Sequence, residues 1–218
     1  HINNCYATKN YNIRTITRGI DLNFFDPNNV KAQQVELIIK EFNIDYDAIK
    51  ILLAGRITGW KGHKLLLQAI STIIKKTNHK FEIIFVGPDE NYKLKNSLKN
   101  FANEHNLAKS LHFVGSRTDL NNFYSLADLV ISASTDPEAF GRISVEAQAM
   151  GKFVIASNHG GSVETVKDGE TGYLFENNNS EDLCEKIIDA ISNEKHKSDK
   201  TSEACISHVR EKYSKIKM

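Results

Sequence analysis

The sequence reads Asp136-Pro-Glu-Ala-Phe-Gly-Arg-Ile-Ser-Val-Glu146 just ahead of a helical apolar pattern that stops at Gly151. The short apolar run 129–132 precedes this stretch and is typical of a buried strand. From Val145 onward the apolar residues recur at helical spacing, and glycine commonly follows the last residue of a helix. This part of the chain therefore predicts a strand, a loop and a helix in succession.

The end of that loop has the features of an anion site. A helix N-terminus offers unpaired backbone N–H groups and a partial positive charge, and Gly141 has no side chain to keep a ligand away from them. Glu138 lies before this point, and Glu146 lies about 7 Å further along the helix axis. Carboxylates accept hydrogen bonds from sugar hydroxyls, so this pair suits a diphosphate with a sugar at each end. Two solvated glutamates on an ordinary strand–loop–helix unit are the alternative, and this stretch alone leaves both open.

Composition and charge limit the class of protein. A chain of 218 residues fits one large α/β domain or two small ones, and 40% hydrophobic residues suffice for a continuous core. The 28 Lys and Arg residues nearly balance the 27 Asp and Glu residues, which argues against nucleic acid as a partner. The three cysteines, Cys5, Cys184 and Cys205, are far apart and predict free thiols in a reducing compartment.

The sequence contains no recognisable targeting segment. No apolar run approaches the roughly 20 residues of a membrane span, and no signal peptide is present. The chain begins His1-Ile-Asn-Asn without an initiator Met, so we expect a piece of a longer protein. The lysine-rich segment 194–218 is interpreted as a solvated helix face rather than a membrane-binding patch.

Strand-like and helix-like patterns alternate along the chain. Strands are predicted at 12–17, 50–54, 81–86, 111–114, 129–132, 153–156 and 173–175, and helices at 31–42, 91–105, 118–126, 162–167, 180–192 and 202–213, with two more after the loops 55–62 and 135–142. This alternation predicts an α/β fold with a Rossmann-like, doubly wound parallel sheet. Right-handed crossovers would place the loops that follow the strands on one edge, where ligands bind in such folds.

The loop 55–62 is rich in glycine and carries two cations, Arg56 and Lys61. Two cations above a helix N-terminus would neutralise a diphosphate, and Arg can bind phosphate through two parallel hydrogen bonds. Taken alone, this loop favours the simpler interpretation of a surface loop with two solvated cations. Neither a GxGxxG nor a Walker motif is present.

The remaining polar motifs are weaker. Asp45 and Asp47 have DxD spacing but precede a strand, so we interpret them as a helix-to-strand connection. The eight histidines show no metal-binding spacing, which predicts no metal site. His63 and His159 flank glycine-containing loops and are interpreted as solvated, and Trp60 is expected to pack its own loop.

Together these loops resemble the C-terminal, donor-binding half of a GT-B glycosyltransferase of family GT4. The resemblance covers nearly the whole chain and depends on an ordered set of motifs. They are Arg18-Gly-Ile-Asp21 with Phe25-Asp-Pro27, Gly55-Arg56 with Lys61-Gly62, Phe113-Val-Gly115, Ala127-Asp128, Glu138-Ala-Phe-Gly141 with Glu146-Ala, and Gly160-Gly161 with Glu164 and Gly169-x-x-Gly172. Arg142 departs from the family because many relatives have an apolar residue there, and Arg18 departs because Asn is usual.

The resemblance implies a role for each matching residue. Arg56 and Lys61 would be catalytic, because they would hold the diphosphate and stabilise negative charge on the leaving nucleoside diphosphate. Glu138 would be catalytic through contact with hydroxyls of the transferred sugar. Gly55 would bind the phosphates, and Glu146 would bind the ribose. Two stretches of backbone would also bind substrate: Phe140, Gly141, Arg142 and Ile143 at the phosphates or sugar, and Gly115, Ser116 and Arg117 at the base. The resemblance implies no metal and no cofactor, since the nucleotide diphosphate sugar is the donor substrate.

The implied reaction moves a hexose, with retention of configuration, from a UDP- or GDP-linked sugar to a glycan or lipid acceptor, as in lipopolysaccharide biosynthesis. Residues 1–218 would form a single donor-binding domain, with 1–30 as linker and 195–218 as a C-terminal helical tail. The N-terminal acceptor domain of such enzymes has no counterpart here, so we expect this piece alone to be inactive. The full enzyme would be cytoplasmic and peripheral to the inner face of a membrane.

Two alternatives stay open. One is another GT-B enzyme, such as a sugar-nucleotide epimerase or a sucrose synthase-like protein. An assay of nucleotide release with and without an acceptor would distinguish these enzymes from the implied transferase. The other is a non-catalytic nucleotide-binding module. The presence of Arg56, Lys61, Glu138 and Glu146 together argues against that second alternative, because a site without a task need not keep all four.

Overall fold

The computed structural model describes residues 18–89 and 91–214. The strand predicted at 12–17 and Cys5 lie outside the described residues. The strands are β1 (Ile49–Ala54), β2 (Phe81–Val86), β3 (Leu111–Gly115), β4 (Leu129–Ser132), β5 (Val154–Ser157) and β6 (Gly172–Phe175). The helices are α1 (Ala32–Phe42), α2 (His63–Lys76), α3 (Tyr92–Glu104), α4 (Leu120–Leu126), α5 (Arg142–Ala149), α6 (Ser162–Thr165), α7 (Ser180–Ser192) and α8 (Asp199–Lys212), preceded by a 3-10 helix at Pro27–Asn29.

All of these strands pair in parallel in one sheet of order β3-β2-β1-β4-β5-β6. In the central pair, Ile51 lies opposite Leu129 and Leu52 opposite Val130. The strand order runs outward in both directions from the neighbours β1 and β4, so the topological switch point lies between them. Ligands of open α/β sheets bind outside the carboxyl ends of the strands at this point. The predicted doubly wound parallel sheet is confirmed.

Alternate residues of each strand pack into cores on opposite faces of the sheet. In β1, Ile51 and Leu53 join a core with α2, α3 and α7, whereas Leu52 and Ala54 join a core with α1, α4, α5 and α8. Burial of both faces removes the polar alternation of a half-exposed strand, which explains why these strands are continuous apolar runs in the sequence.

Side-chain caps fix where several helices begin. Asn91 accepts a hydrogen bond from the Leu94 N–H at the start of α3, and Asn179 accepts two at the start of α7. Ser198 accepts from the Thr201 N–H, so the last helix begins at Asp199, earlier than the predicted residue 202. Caps of this kind satisfy N–H groups that have no partner within the helix.

The C-terminal helix α8 is amphipathic and packs against α5. Its inner face buries Cys205, His208 and Val209. Only its outer face, with Lys200 and Lys212, is exposed. The interpretation of segment 194–218 as a solvated face therefore holds for one side of this helix and is wrong for the other.

Residues 20–25 lie beside the end of α8. The Ile20 N–H donates to the Tyr213 carbonyl at 2.9 Å, and Phe25 packs edge-on against Tyr124 of α4. This short segment is therefore held against the same face of the sheet as α5. Across residues 18–89 and 91–214, no helix is long and apolar enough to cross a membrane.

Candidate functional site

The loops that follow β1 and β4 are in direct contact at the switch point. A Cβ atom added at Gly62 would lie 1.9 Å from the Ala133 carbonyl oxygen, so only glycine permits this approach of the two loops. The Thr135 N–H donates to the Trp60 carbonyl at 2.7 Å. The structure therefore brings together the loop that carries Arg56 and Lys61 and the loop that carries Glu138.

Lys61 and Glu138 form an ion pair between these loops. Lys61 Nζ lies 2.6 Å from Glu138 Oε1, and the side chains are only 14% and 11% exposed. The Ser134 hydroxyl donates to the same carboxylate oxygen. Burial strengthens the attraction between opposite charges because little water screens it. The interpretation of Lys61 as a solvated cation is therefore wrong.

The N-terminus of α5 begins at this contact. Gly141 precedes the helix with a φ of 75°, and no side chain caps the helix. The loop ahead of it is braced by the next loop along the sheet, since the Gly161 N–H donates to the Glu138 carbonyl at 2.6 Å. The first N–H groups of an uncapped helix remain available to an anion.

Glu146 lies on α5 and is almost fully buried, with an exposed fraction of 3%. Its Oε2 accepts a hydrogen bond from the Tyr124 hydroxyl at 2.9 Å, and its Oε1 accepts one from Arg142 Nε at 2.7 Å. Burial raises the pKa of the Glu146 carboxyl, whereas the Arg142 charge and the Tyr124 hydroxyl lower that pKa and only partly offset the burial. The alternative of two solvated glutamates at positions 138 and 146 is therefore wrong.

A small recess opens above Glu146. It has a volume of about 210 Å³ and is lined by Gly19, Ile20, Asp21, Phe25, Arg142 and Glu146. The Arg142 side chain covers one rim of it and is 71% exposed. Residues 19–21 and Phe25 belong to motifs of the family resemblance, but no role in the site was predicted for them because they are distant from α5 along the chain.

Arg56 differs from Lys61 in being exposed. It makes no ion pair with any residue in the described part of the chain. Its neighbour Gly55 lies against the loop after β2 and the first turn of α5, because a Cβ atom at Gly87 would approach the Gly55 carbonyl and a Cβ atom at Gly55 would contact Ile143. The cation is therefore free to turn toward a ligand at the switch point.

The β3 loop contributes backbone rather than side chains. The Gly115 carbonyl accepts from the Gly87 N–H at 2.9 Å, which joins this loop to the loop after β2, and Ser116 is exposed. The Arg117 guanidinium is turned away, since it donates to Asp119 at 2.9 and 3.0 Å and to Glu41 at 3.1 Å. Phe140 likewise presents backbone, because its ring packs edge-on against Tyr213.

Two histidines that the sequence led us to interpret as solvated are held by the protein. His63, the first residue of α2, is buried against the ring of Phe85. Burial lowers the pKa of His63 to about 4, an effect that the nearby Lys61 charge reinforces. His159 contacts the Ser134 carbonyl through Nε2 at 2.7 Å. The prediction of solvation is therefore wrong for His63, while His159 contributes to the bracing of the β4 loop.

The DxD-spaced aspartates, the expected absence of a metal site and the packing of Trp60 can also be compared with the structure. Asp47 and Asp45 lie in the turn before β1, and Asp45 pairs with Lys80 at 3.0 Å, as expected for a helix-to-strand connection. No group of three or more metal-binding side chains occurs within the described residues. Trp60 is 38% exposed and its ring lies 4.3 Å below Lys61 Nζ, so it packs against the site lysine.

Two side chains that contact the site were not predicted. Tyr124 donates to Glu146, and Ser134 donates to Glu138. Both lie in segments that the sequence predicts to be hydrophobic core. Tyr124 follows Phe123 in a predicted helix, and Ser134 closely follows an apolar strand. Their partners belong to other elements, so only the fold reveals the contacts.

The chain matches the family described as glycosyl transferases group 1 over residues 34–211. It is 34% identical over 200 residues to the lipopolysaccharide 1,2-N-acetylglucosaminetransferase of Salmonella typhimurium, which corresponds to 88% of this chain and 51% of that protein. The chain spans about half the length of the curated relatives it matches.

Two solved structures share the fold over most of the chain. A glycosyltransferase from Rickettsia africae superposes with a TM-score of 0.92 at 33% identity, covering 100% of this chain and 57% of that one. The Anabaena protein Alr3699/HepE, solved in complex with UDP and glucose, superposes with a TM-score of 0.80 at 23% identity, covering 90% of this chain and 52% of that one. At that identity the second likeness shows the fold alone.

Proposed function

The chain belongs to the glycosyl transferases group 1 family, and we propose that it is the donor-binding domain of a retaining glycosyltransferase of family GT4. The proposed reaction transfers a hexose from a nucleotide diphosphate sugar to a hydroxyl of a glycan or lipid acceptor. The bond between the sugar and the diphosphate breaks, and its electron pair stays on the diphosphate oxygen. A bond to the acceptor oxygen forms on the same face of the sugar, and the acceptor proton passes to the leaving diphosphate.

One observation carries this proposal: the switch point of the sheet lies between β1 and β4, and their loops hold Arg56, Lys61 and Glu138. Cations and a carboxylate at the ligand-binding edge of a doubly wound sheet match a ligand that contains both phosphate and sugar. The uncapped N-terminus of α5, preceded by Gly141, adds backbone donors at the same place.

Arg56 and Lys61 are proposed as catalytic residues that stabilise the leaving diphosphate. Negative charge grows on the bridging oxygen as the bond to the sugar breaks, and fixed cations nearby lower the energy of that state. Lys61 has three N–H donors, so it can keep its bond to Glu138 and still bind a phosphate oxygen. These two cations would supply the charge neutralisation, so we propose a reaction without a metal ion.

The carboxylates are proposed to bind sugar hydroxyls on either side of the diphosphate. Glu138, oriented by Lys61 and Ser134, would accept from hydroxyls of the transferred hexose and is the third catalytic residue. Glu146 would accept from the ribose. The remaining proposed contacts are Gly55 and the backbone of Phe140, Gly141, Arg142 and Ile143 at the phosphates, and Gly115, Ser116 and the Arg117 backbone at the base.

The acceptor and the setting of the reaction are proposed from the relatives. The Salmonella relative is named for a lipopolysaccharide substrate, so we propose surface-glycan biosynthesis, with a UDP- or GDP-linked donor, in the cytoplasm at the inner face of a membrane. We also propose that residues 1–218 act as one donor-binding domain. The acceptor would bind a domain outside these residues, since the chain spans about half of its curated relatives.

Isothermal titration calorimetry of the chain with UDP, GDP and ADP tests the proposal. We expect one nucleotide to bind more tightly than the others, and Glu146→Ala to weaken that binding. Glu170→Ala is the matched control, because Glu170 is exposed and its carboxylate pairs with the nearby Lys167 at 3.1 Å rather than with a residue of the candidate site. If the folded chain binds none of the three nucleotides, this domain is not a preformed donor site and the proposal fails for the chain alone.

A further inference from the structure

The buried carboxylate of Glu146 is held from two sides by unequal partners. From the solvent side, Arg142 Nε reaches Oε1, but its side chain is 71% exposed. From the protein interior, the Tyr124 hydroxyl reaches Oε2 at 2.9 Å, and Tyr124 is fully buried. An exposed arginine on the first residue of a helix can move at little cost, whereas a tyrosine ring packed in a core cannot.

The ring of Tyr124 is fixed before any ligand binds. It is among the largest fully buried side chains of the described residues, and Phe25 packs edge-on against it at 5.9 Å. A buried hydroxyl must find a hydrogen-bond partner, and within residues 18–89 and 91–214 the Tyr124 hydroxyl finds it in the Glu146 carboxylate. This bond fixes the plane of the carboxylate and leaves Oε1 directed at the recess beneath Arg142.

We propose that Tyr124 is a positioning residue for nucleotide recognition: its hydroxyl holds Glu146 so that Oε1 receives the vicinal hydroxyls of the ribose, with Arg142 displaced from that oxygen as they bind. The inference rests on the proposed function, since it assigns a role in that same site. Of the two hydrogen-bond donors to Glu146, Tyr124 would stay in place when ligand binds and Arg142 would be replaced by the ribose hydroxyls.

The charge of Glu146 matters as much as its orientation, because an ionised carboxylate only accepts hydrogen bonds. The groups that face it are Arg142 on its own helix, Tyr124 on α4 and Asp21 across the recess, with Glu138 in the loop ahead of α5. Burial raises the pKa of Glu146, and the Tyr124 hydrogen bond lowers it. Removal of that bond therefore raises the pKa of Glu146 further, and the carboxylate takes up its proton at a higher pH.

The test compares Tyr124→Phe with the wild-type chain by calorimetric titration with UDP, GDP and ADP between pH 8 and pH 6. We expect the variant to bind the preferred nucleotide about tenfold more weakly at pH 8, as for loss of one hydrogen bond to a charged group. The ratio of the two dissociation constants should grow as the pH falls. Tyr173→Phe is the control, because its hydroxyl faces Asp189 rather than Glu146.

A double-mutant cycle separates positioning from general packing. If Tyr124 acts through Glu146, then Tyr124→Phe should cause little further loss in a Glu146→Gln background. Equal losses in both backgrounds, or wild-type affinity and pH dependence for Tyr124→Phe, would overturn the inference. Should Tyr124→Phe fail to fold, 3-fluorotyrosine at position 124 keeps the hydroxyl. Its ¹⁹F signal should then shift on addition of UDP to the wild-type background and not to the Glu146→Gln background.

The inference and the proposed function fail in different ways. If the wild-type chain binds no nucleotide, the proposed function fails and the ribose role fails with it. The ¹³C titration of the Glu146 carboxyl, measured without nucleotide, still reports on the contact. An unchanged pKa of Glu146 in Tyr124→Phe would show that the hydroxyl does not control this carboxylate.

Discussion

Arg56 and Lys61 lie in one loop but in different environments. The Lys61 side chain is largely buried and paired with Glu138, whereas Arg56 is exposed and has no ion-pair partner within the described residues. Lys61 thus contributes to the shape of the free site as well as to its charge. Because Arg56 contributes few interactions to the folded protein without ligand, its substitution should affect ligand binding more than the free energy of unfolding.

We expect Arg56→Ala to weaken binding of the preferred nucleoside diphosphate by roughly 1.5–3 kcal/mol, the range for hydrogen bonds to charged groups. The free energy of unfolding should change by less than about 0.5 kcal/mol, as for most exposed positions. Calorimetric titration and urea denaturation measure the two effects. Arg210→Ala serves as the control, since Arg210 lies on the outer face of α8. Unchanged affinity in folded Arg56→Ala would remove Arg56 from the site.

His63 predicts a specific dependence of stability on pH. Its pKa in the folded chain is lowered to about 4 from the usual 6.5, so the unfolded chain binds the proton more tightly. The stabilisation is therefore complete above the unfolded pKa and is lost as the pH falls from 6.5 toward 4. Between pH 7 and pH 5 this single group should reduce the free energy of unfolding by about 2 kcal/mol.

Urea denaturation of His63→Leu at pH 7 and pH 5 tests this expectation. The variant should lose about 2 kcal/mol less than the wild type over that interval, because leucine does not titrate. His79→Leu, which replaces an exposed histidine, should follow the wild-type profile. A parallel loss of stability in wild type and His63→Leu would show that other groups dominate the acid response.

The sequence indicated the charged residues of the candidate site but not their supports. Glu138 and Glu146 stand out because they lie on either side of Gly141, at the predicted start of a helix. Tyr124 does not stand out, because an aromatic residue on a helix is usually core. His63 was interpreted as solvated because it flanks a glycine-containing loop. Their environments depend on Glu146 and Phe85, which belong to other elements.

Among the elements, the strands and helices were predictable and their order in the sheet was not. Mostly apolar runs predicted each described strand to within a residue or two, because burial on both faces of a sheet leaves a strong local pattern. The pairing of β1 with β4 is a contact between residues distant in sequence, and no local pattern encodes it. That pairing is what places the Lys61 loop against the Glu138 loop.

The contact between those loops depends on Gly62. A Cβ atom there would lie 1.9 Å from the Ala133 carbonyl oxygen, and the φ of 77° is unfavourable for other residues. We expect Gly62→Ala to reduce the free energy of unfolding by roughly 2–4 kcal/mol, from backbone strain and overpacking together. Urea denaturation measures the loss, and nucleotide affinity should fall with it because Lys61 is displaced.

Gly59→Ala is a matched control in the same loop. A Cβ atom at Gly59 would have nothing within 4 Å, so the substitution should change stability by less than about 0.5 kcal/mol. Equal stability of the two variants would mean that the loop after β1 can move away from β4 without loss, and that the site is not held by this contact.

At the scale of the whole molecule, the described residues form one wall of a site rather than an enclosed pocket. The proposed phosphate, hexose and ribose contacts follow one edge of the sheet, and the recess above Glu146 holds only about 210 Å³. Pockets that enclose a ligand of nucleotide-sugar size usually measure about 300–1,000 Å³. A second wall is therefore needed to exclude water and to place an acceptor hydroxyl near the sugar.

From this geometry we expect the 218-residue chain to bind nucleotide weakly and to transfer little sugar by itself. Orientation of both substrates accounts for much of enzymatic rate enhancement, and one wall orients only the donor. Nucleotide release from UDP- and GDP-sugars, measured with and without glycolipid acceptors, should therefore be slower than about 0.1 s⁻¹, against roughly 10 s⁻¹ for a typical enzyme. Any residual release should disappear in Lys61→Ala, which lacks the cation beside the leaving phosphate. Acceptor-dependent turnover near 10 s⁻¹ by the chain alone would show that these residues contain a complete active site.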